Sequence, residues 1–393
     1  MPGLNSFLEL GEAEKKAQGL LFTPREIAQQ PETWRGTLQI FLEQQVRVRA
    51  FLEEAGVRGA VEQRPVVVLV GAGTSDYIGH ALVLLLRKMW GCEVFACAST
   101  SLLMSMEDYV VPGRRYLWVS FSRSGDSPEG VAVIERAAAE YPQIVHLVIT
   151  CNAAGRMITA SGKAGRSCVL VLDDGVNDRS LAMTSSFTNM VVMGQCLAHA
   201  WTIQAYAELQ GRMVAAAEDL LVSGAGLAER MAALRPSRVC FVGSGALESV
   251  AKESALKVLE MTAGQIKTMS ETVLGLRHGP MAALDPETLL VCFVPADARR
   301  AKYAEDLLRE IGDKEITMRR IAMGPGSLAA EFDGACEDYL EVRDEVEDLY
   351  LPVLDVIFGQ MLGLYCSVAH GLKPDAPSPG GVISRVVQRF QIY

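Results

Sequence analysis

Residues 65–79 read PVVVLVGAGTSDYIG. A run of β-branched and aliphatic residues ends in a glycine-rich turn carrying Thr74 and Ser75, and helical spacing follows. This is the βα unit of a parallel sheet, since a strand covered on both faces reads as continuous apolar sequence. The unit recurs at RYLWVSF (115–121), IVHLVIT (144–150) and SCVLVL (167–172). A second set follows at RVCFVG (238–243), TLLVCFV (288–294), TMRRIAM (317–323) and YLEV (339–342). Gly71 and Gly243, Phe121 and Phe293, and Ile149 and Ile321 stand at one offset of 172 residues. Three strands in one register indicate a duplicated fold. Gly194-Gln195-Cys196-Leu197 is echoed by Gly359-Gln360-Met361-Leu362, with the offset drifted to 165.

The expected fold is therefore α/β, with two tandem doubly wound parallel-sheet domains of roughly 150 residues each. Residues 1–60 form a helical lead-in, 61–212 the first domain and 230–393 the second, with a linker near 210–235. In the lead-in, Thr23-Pro24-Arg25-Glu26 fits an N-cap threonine followed by proline at the first helical position.

Half of the 393 residues are apolar and the formal net charge is −10, which disfavours a nonspecific grip on nucleic acid or an acidic membrane. The nine cysteines form no C-x-x-C pair, and Cys240 and Cys292 sit inside apolar runs, as small core residues do. MPGLNSFLELGEAEKK lacks a secretory leader pattern, and Gly, Arg or Lys interrupts every apolar stretch before membrane-spanning length. A protein neither exported nor embedded, in a reducing cytoplasm, is expected. The five histidines show no metal-ligand spacing.

Ligands of open parallel sheets bind beyond the carboxyl ends of the strands. There the first copy carries Gly71-Ala72-Gly73-Thr74-Ser75 and Ser120-Phe121-Ser122-Arg123-Ser124-Gly125-Asp126-Ser127-Pro128-Glu129. Glycines admit close backbone approach, helix N-termini favour anions and hydroxyls donate to phosphate oxygens, so the pair reads as a phosphate cradle without lysine. Ser and Gly also make ordinary turns and caps, but two such loops on adjacent strands favour the cradle. Asp76 stands where a dinucleotide fingerprint needs glycine, which speaks against a nicotinamide cofactor, and no other cofactor is called for. The second copy keeps Gly243-Ser244-Gly245 but has Pro295-Ala296-Asp297 after its second strand, so its phosphate-type site is degraded. It carries Glu253, Lys257 and Glu260 on one helical face instead, followed by Arg277-His278-Gly279-Pro280. On periodicity alone that face is a solvated row of salt bridges, and His278 a structural loop residue.

Together these motifs, with AMTSSFT (182–188), ITCNAAG (149–155), DRSLAMTSS (178–186), ESALKVLEMTAG (253–264) and GLRHGP (275–280), resemble the sugar isomerase (SIS) superfamily in its order of motifs. The resemblance covers nearly everything after residue 60. It is strongest to the tagatose-6-phosphate ketose/aldose isomerase group, also described as galactosamine-6-phosphate deaminases. The isomerase half of glucosamine-6-phosphate synthase is a more distant likeness.

The resemblance implies that Ser75, Ser122, Arg123, Ser124 and Ser127 surround a sugar phosphate, with Gly73 and Thr74 shaping the same cradle and Asn152 and Arg385 also lining it. It implies Glu260 as the base moving a proton between C1 and C2, His278 as the ring-opening acid/base, and Lys257 as a lysine beside them. It further implies a homodimer with shared active sites, His278 reaching the neighbouring subunit's site. Two positions depart from the synthase pattern: Arg385 stands where a carbonyl-handling lysine is found, and Gly275 where an acidic residue is usual. Guanidinium stays protonated, which speaks against Schiff-base chemistry from that position. The expected activity is conversion of galactosamine 6-phosphate to the ketose phosphate plus ammonia. The alternatives are plain isomerisation, loss of another amine from a sugar phosphate, or a noncatalytic sugar-phosphate sensor.

Overall fold

The computed structural model describes residues 3–342, 346–378, 380–387 and 390–392. It contains two five-stranded parallel sheets flanked by helices. The first consists of β1 (Val66–Gly71), β2 (Val94–Ala98), β3 (Tyr116–Ser122), β4 (Ile144–Thr150) and β5 (Ser167–Val171), in the order β2-β1-β3-β4-β5. The second consists of β6 (Arg238–Val242), β7 (Lys267–Glu271), β8 (Thr288–Phe293), β9 (Arg319–Pro325) and β10 (Asp338–Val342), in the order β10-β9-β8-β6-β7. Read from its other edge, the second order repeats the first strand for strand. The duplication is therefore topological as well as sequential, and each sheet has its switch point where the chain reverses direction, at β1/β3 and β6/β8.

Two strands escaped the sequence reading, β2 and β7, and both are sheet edges. An edge strand pairs on one side only and need not be apolar. β7 reads KTMSE with no fully buried residue, and β2 reads VFACA with only Val94 and Cys97 buried. The central strands β1, β3, β4 and β8 are buried along their whole length, which is why they were legible.

The chain divides into two compact units. The first unit comprises Glu32–Asp178, Ser185–Gln210 and Ile383–Tyr393; the second comprises Met1–Pro31, Arg179–Thr184 and Gly211–Val382. The stretch 210–235 is helical through Ala233, within the helix Ile203–Ala233.

The repeated glycines have steric causes. A Cβ on Gly71 would lie 2.2 Å from the Ser75 backbone, and one on Gly243 would lie 2.4 Å from the Leu247 carbonyl, so each strand-to-helix turn closes on a residue four positions on. Gly194 would meet Leu82 at 2.2 Å, and Gly359 would meet Ser254 at 2.2 Å. In each unit, then, the last core helix lies against the first at a glycine. That accounts for the echo of Gly194-Gln195 in Gly359-Gln360.

The helix Pro352–Ala369 corrects one expectation: despite its glycines it is long and apolar enough to cross a membrane, but 89% of it is buried. It is a core helix. The N-cap expectation at Thr23 is also corrected, because the cap position is Phe22 and no side chain of the segment caps the helix Thr23–Ala28. The Asp375 carboxylate does so instead, accepting from the Leu21, Phe22 and Thr23 N–H groups and from the Thr23 hydroxyl, the shortest at 2.7 Å. A cap supplied from 352 residues away leaves no local signal.

His146 on β4 is fully buried, its ring edge-on to Trp118 at 5.9 Å, and neither ring nitrogen has a hydrogen-bond partner among the described residues. Burial pushes its pKa down to about 4 from the ordinary 6.5. Between these values the unfolded chain binds a proton that the folded chain refuses, so stability is lost as pH falls from 6.5 towards 4 and is unaffected above that window. The effect amounts to about 3 kcal/mol at its limit. Denaturant titrations at pH 7 and pH 4.5 are expected to show a gap that His146→Leu narrows; an equal gap in both proteins would remove His146 as its source.

Candidate active site

In the first unit β1 and β3 run side by side, with Val70 opposite Ser120, so the two hydroxyl-bearing loops leave the sheet as neighbours at its switch point. Gly73 has φ +56° and ψ −127°, a conformation that only glycine adopts readily, and it turns the chain into the helix Thr74–Trp90. Thr74 and Ser75 begin that helix and are both buried. The Ser75 hydroxyl has no hydrogen bond among the described residues.

The second loop is held by its own backbone. Ser122 Oγ accepts from the Gly125 N–H at 3.0 Å, and Ser124 Oγ accepts from the Asp126 N–H at 3.2 Å. Each hydroxyl, spent as an acceptor, keeps its proton available to an incoming acceptor. Ser127 is the N-cap of the helix Pro128–Glu140 but makes no capping bond, which leaves both its hydroxyl and the first N–H groups of the helix to a ligand.

A third loop, after β4, clamps this one. Asn152 donates from Nδ2 to the Ser124 carbonyl at 2.7 Å, and its Oδ1 accepts from the Ala154 N–H. The Gly155 backbone passes so close that a Cβ there would fall 2.8 Å from Gly125 Cα. The Met157 N–H donates to the Gly125 carbonyl, and Arg156 binds Asp126 through its backbone N–H and its guanidinium. The amide of Asn152 is thus occupied in shaping the loop. Gly155 and Arg156 were missed in the sequence, although the glycine in ITCNAAG was the available signal.

Arg123 is buried and donates to the Arg385 carbonyl. Arg385 in turn donates from Nε to the Asp178 carbonyl and from its terminal nitrogen to Asn177 Oδ1, both at 2.7 Å. The Asp178 carboxylate, unremarked in the sequence reading, accepts from the Ser185 and Ser186 N–H groups and caps the helix Ser185–Ala198. In the first unit, therefore, Ser122, Arg123, Ser124, Ser127, Asn152 and Arg385 are brought together.

In the second unit the helix Leu247–Met261 is sealed by Pro352–Ala369, where a Cβ on Gly363 would fall 3.1 Å from the Lys257 carbonyl oxygen. Glu253 and Lys257 are completely buried, which overturns the solvated salt-bridge row. Lys257 Nζ stands 3.2 Å from Glu253 Oε1 and 2.6 Å from Glu260 Oε2. Burial alone would depress the lysine, but the two carboxylates outweigh it and hold the ammonium above the usual lysine range. Glu260 is the member that solvent still reaches, its side chain 24% exposed.

His278 is exposed and its ring has no partner among the described residues. Its loop is pinned by Arg277, which reaches Glu310 at 2.6 Å and Asp306 at 2.8 Å, and Gly279 has φ +119°. At Gly275 a Cβ would fall 2.6 Å from Glu271 Oε1, so glycine there makes room for that carboxylate. The crevice at the β6/β8 switch point is lined by Ser244, Gly245, Pro295 and Arg300. Ser244 Oγ is taken by the Val273 N–H, and Arg300 is paired with Asp348. Ser244 Oγ and the Arg300 guanidinium are thus each engaged by a protein group.

No family model matches the chain. A Streptomyces coelicolor protein is 38% identical over 375 residues, covering 94% of this chain and 95% of that one. The D-galactosamine-6-phosphate deaminase AgaS of Escherichia coli is 33% identical over 377 residues, covering 95% of each chain. The crystal structure of tagatose-6-phosphate ketose/aldose isomerase from Escherichia coli superposes with a TM-score of 0.81 at 31% identity, over 92% of this chain and 95% of that one.

Proposed function

Because the chain belongs to the D-galactosamine-6-phosphate deaminase AgaS family, within the sugar isomerase (SIS) superfamily, we propose that it converts D-galactosamine 6-phosphate and water to tagatose 6-phosphate and ammonia. The observation that carries the reading is similarity along nearly the whole chain, 30% over 398 residues to the enzyme of that name from Shewanella, rather than over an isolated motif. The first unit's loops hold the phosphate: Thr74, Ser75, Ser122, Ser124 and Ser127 with the helix N–H groups, and Arg123 as the buried cation. Hydrogen bonds to a charged oxygen contribute roughly 1.5–3 kcal/mol each, so a handful hold a dianion on a protein of net charge −10.

His278 opens the ring. Glu260 takes the C2 proton and returns it to C1, which leaves an imine at C2; water adds, the C–N bond breaks and ammonia departs, with no net oxidation. Lys257 fixes the Glu260 carboxylate and stabilises its charge, and Arg385 secures Arg123. The same reading makes the protein a cytoplasmic homodimer in which His278 of each subunit serves the site of the other.

Incubation with galactosamine 6-phosphate is expected to release ammonia in step with ketose phosphate, and faster than from glucosamine 6-phosphate. Ketose phosphate formed from an unaminated aldose phosphate, with no ammonia from either amino sugar, would replace this reading by the plain isomerase that the name of the solved relative suggests.

A further inference from the structure

His278 ends a short turn that begins where β7 ends. Its ring has no partner among the described residues, so the backbone of that turn decides where the imidazole stands. Val273 and Leu276 anchor the turn in the second unit's core. Its start is closed by a chain of hydrogen bonds. The Glu271 carboxylate accepts from the Thr272 N–H at 2.7 Å and from the Thr272 hydroxyl at 3.3 Å, and the same hydroxyl oxygen accepts from the Gly275 N–H at 3.0 Å. The Thr272 carbonyl accepts from the Leu276 N–H at 3.1 Å, and the Gly275 carbonyl from the His278 N–H at 2.9 Å. In a capping box a threonine binds the N–H three residues on, and a Glu or Gln at that third position reaches back to the threonine N–H. Thr272 makes the first bond, but the third position is Gly275, which has no side chain to make the second. Glu271 makes it from the preceding residue instead. Gly275 leaves the space for this, since a Cβ there would fall 2.6 Å from Glu271 Oε1 and 2.4 Å from Thr272 Oγ1.

We propose that Glu271 is a positioning residue for His278: its carboxylate completes the capping box that Gly275 leaves open, and so fixes where the imidazole is presented. This rests on the reading that His278 opens the sugar ring. Arg277 pins the end of the same turn to Glu310 and Asp306, but it does so through a long side chain, whereas Glu271 and Thr272 hold the backbone N–H groups themselves. Gly279, next after His278 at φ +119°, has no side chain to steady the imidazole from the other side. A displaced acid/base group loses rate steeply, since a shift of about 1 Å costs on the order of 100-fold.

The test follows the imidazole and the turnover separately. The His278 ring signal, one of five histidine signals and assigned by its loss in His278→Asn, is recorded by NMR beside ammonia release from galactosamine 6-phosphate. Glu271→Ala is expected to move or broaden that signal and to lower kcat about ten-fold or more, with the affinity for inorganic phosphate within about two-fold of wild type. Thr272→Val, which keeps the side chain's shape but not its hydroxyl, is expected to share both defects and keeps the test open if the alanine variant unfolds. Glu271→Gln retains an acceptor oxygen and should stay near wild type. Glu271→Ala combined with Gly275→Glu moves the acid to the third position of the box and should restore both signal and rate. An unmoved His278 signal in Glu271→Ala and Thr272→Val overturns the proposal. So does a Gln variant as impaired as the alanine one, which would make the charge rather than the acceptor the cause, or a relocated glutamate that restores nothing. Absence of ammonia release by wild type would instead overturn the deaminase reading, while the His278 signal would still decide whether Glu271 positions it.

Discussion

Glu260→Gln is expected to lower ammonia release from galactosamine 6-phosphate by about 10²–10⁴-fold, the usual contribution of one positioned acid/base group. Its affinity for phosphate-bearing ligands should change little. The amide keeps the size of the side chain and can still accept from Lys257 through its oxygen, but it has no basic group to take the C2 proton. Lys257 keeps its second partner, Glu253, so the buried charge stays compensated. The loss should therefore appear in kcat, with the thermal midpoint close to that of wild type. A Gln variant that turns over at the wild-type rate removes Glu260 from the proton shift, and a large fall in midpoint shows that the substitution damaged the fold rather than the chemistry.

Lys257→Met is expected to be the most damaging single substitution for stability. It leaves Glu253 fully buried without its cation, and removing one partner of a buried pair costs about 3–5 kcal/mol. For units of this size the thermal midpoint should fall by on the order of 10 °C. The raised lysine pKa means that its contribution is complete at neutral pH and fades only as pH climbs through and above the lysine range. The double variant Glu253→Leu with Lys257→Met removes both charges at once and should recover most of the loss. If the single and double variants melt together, desolvated charge is not the cause of the instability.

Most of the fold was legible because its central strands are apolar from end to end and its turns carry glycines at sterically forced places. Gly71 and Gly243 fixed the register of the two copies because nothing larger fits against the residue four positions on. The edge strand β7 was not legible, since KTMSE carries no apolar run, and β2 was missed because VFACA is short and its small alanines carry little strand signal. Nor was the cap of Thr23–Ala28, because Asp375 reaches it from the far end of the sequence. The Ser122–Ser127 loop was visible as a cluster of hydroxyls, and the structure supplies what spacing could not: which hydroxyls accept backbone N–H groups and which are left to donate. Periodicity placed Glu253, Lys257 and Glu260 on one face but misjudged that face as solvated, because a helix pattern does not reveal that a second glycine-bearing helix covers it.

The central proposal is phosphate binding by the Ser122–Ser127 loop and proton transfer by Glu260, as two separable functions. Titration calorimetry of Glu260→Gln with galactosamine 6-phosphate, with ammonia measured in the same sample, tests it most directly. Saturable binding without ammonia release is expected, weakened about 100-fold or more when Ser122→Ala and Ser127→Ala are added. Undiminished binding in the triple variant, or ammonia produced by the Gln protein, would contradict it.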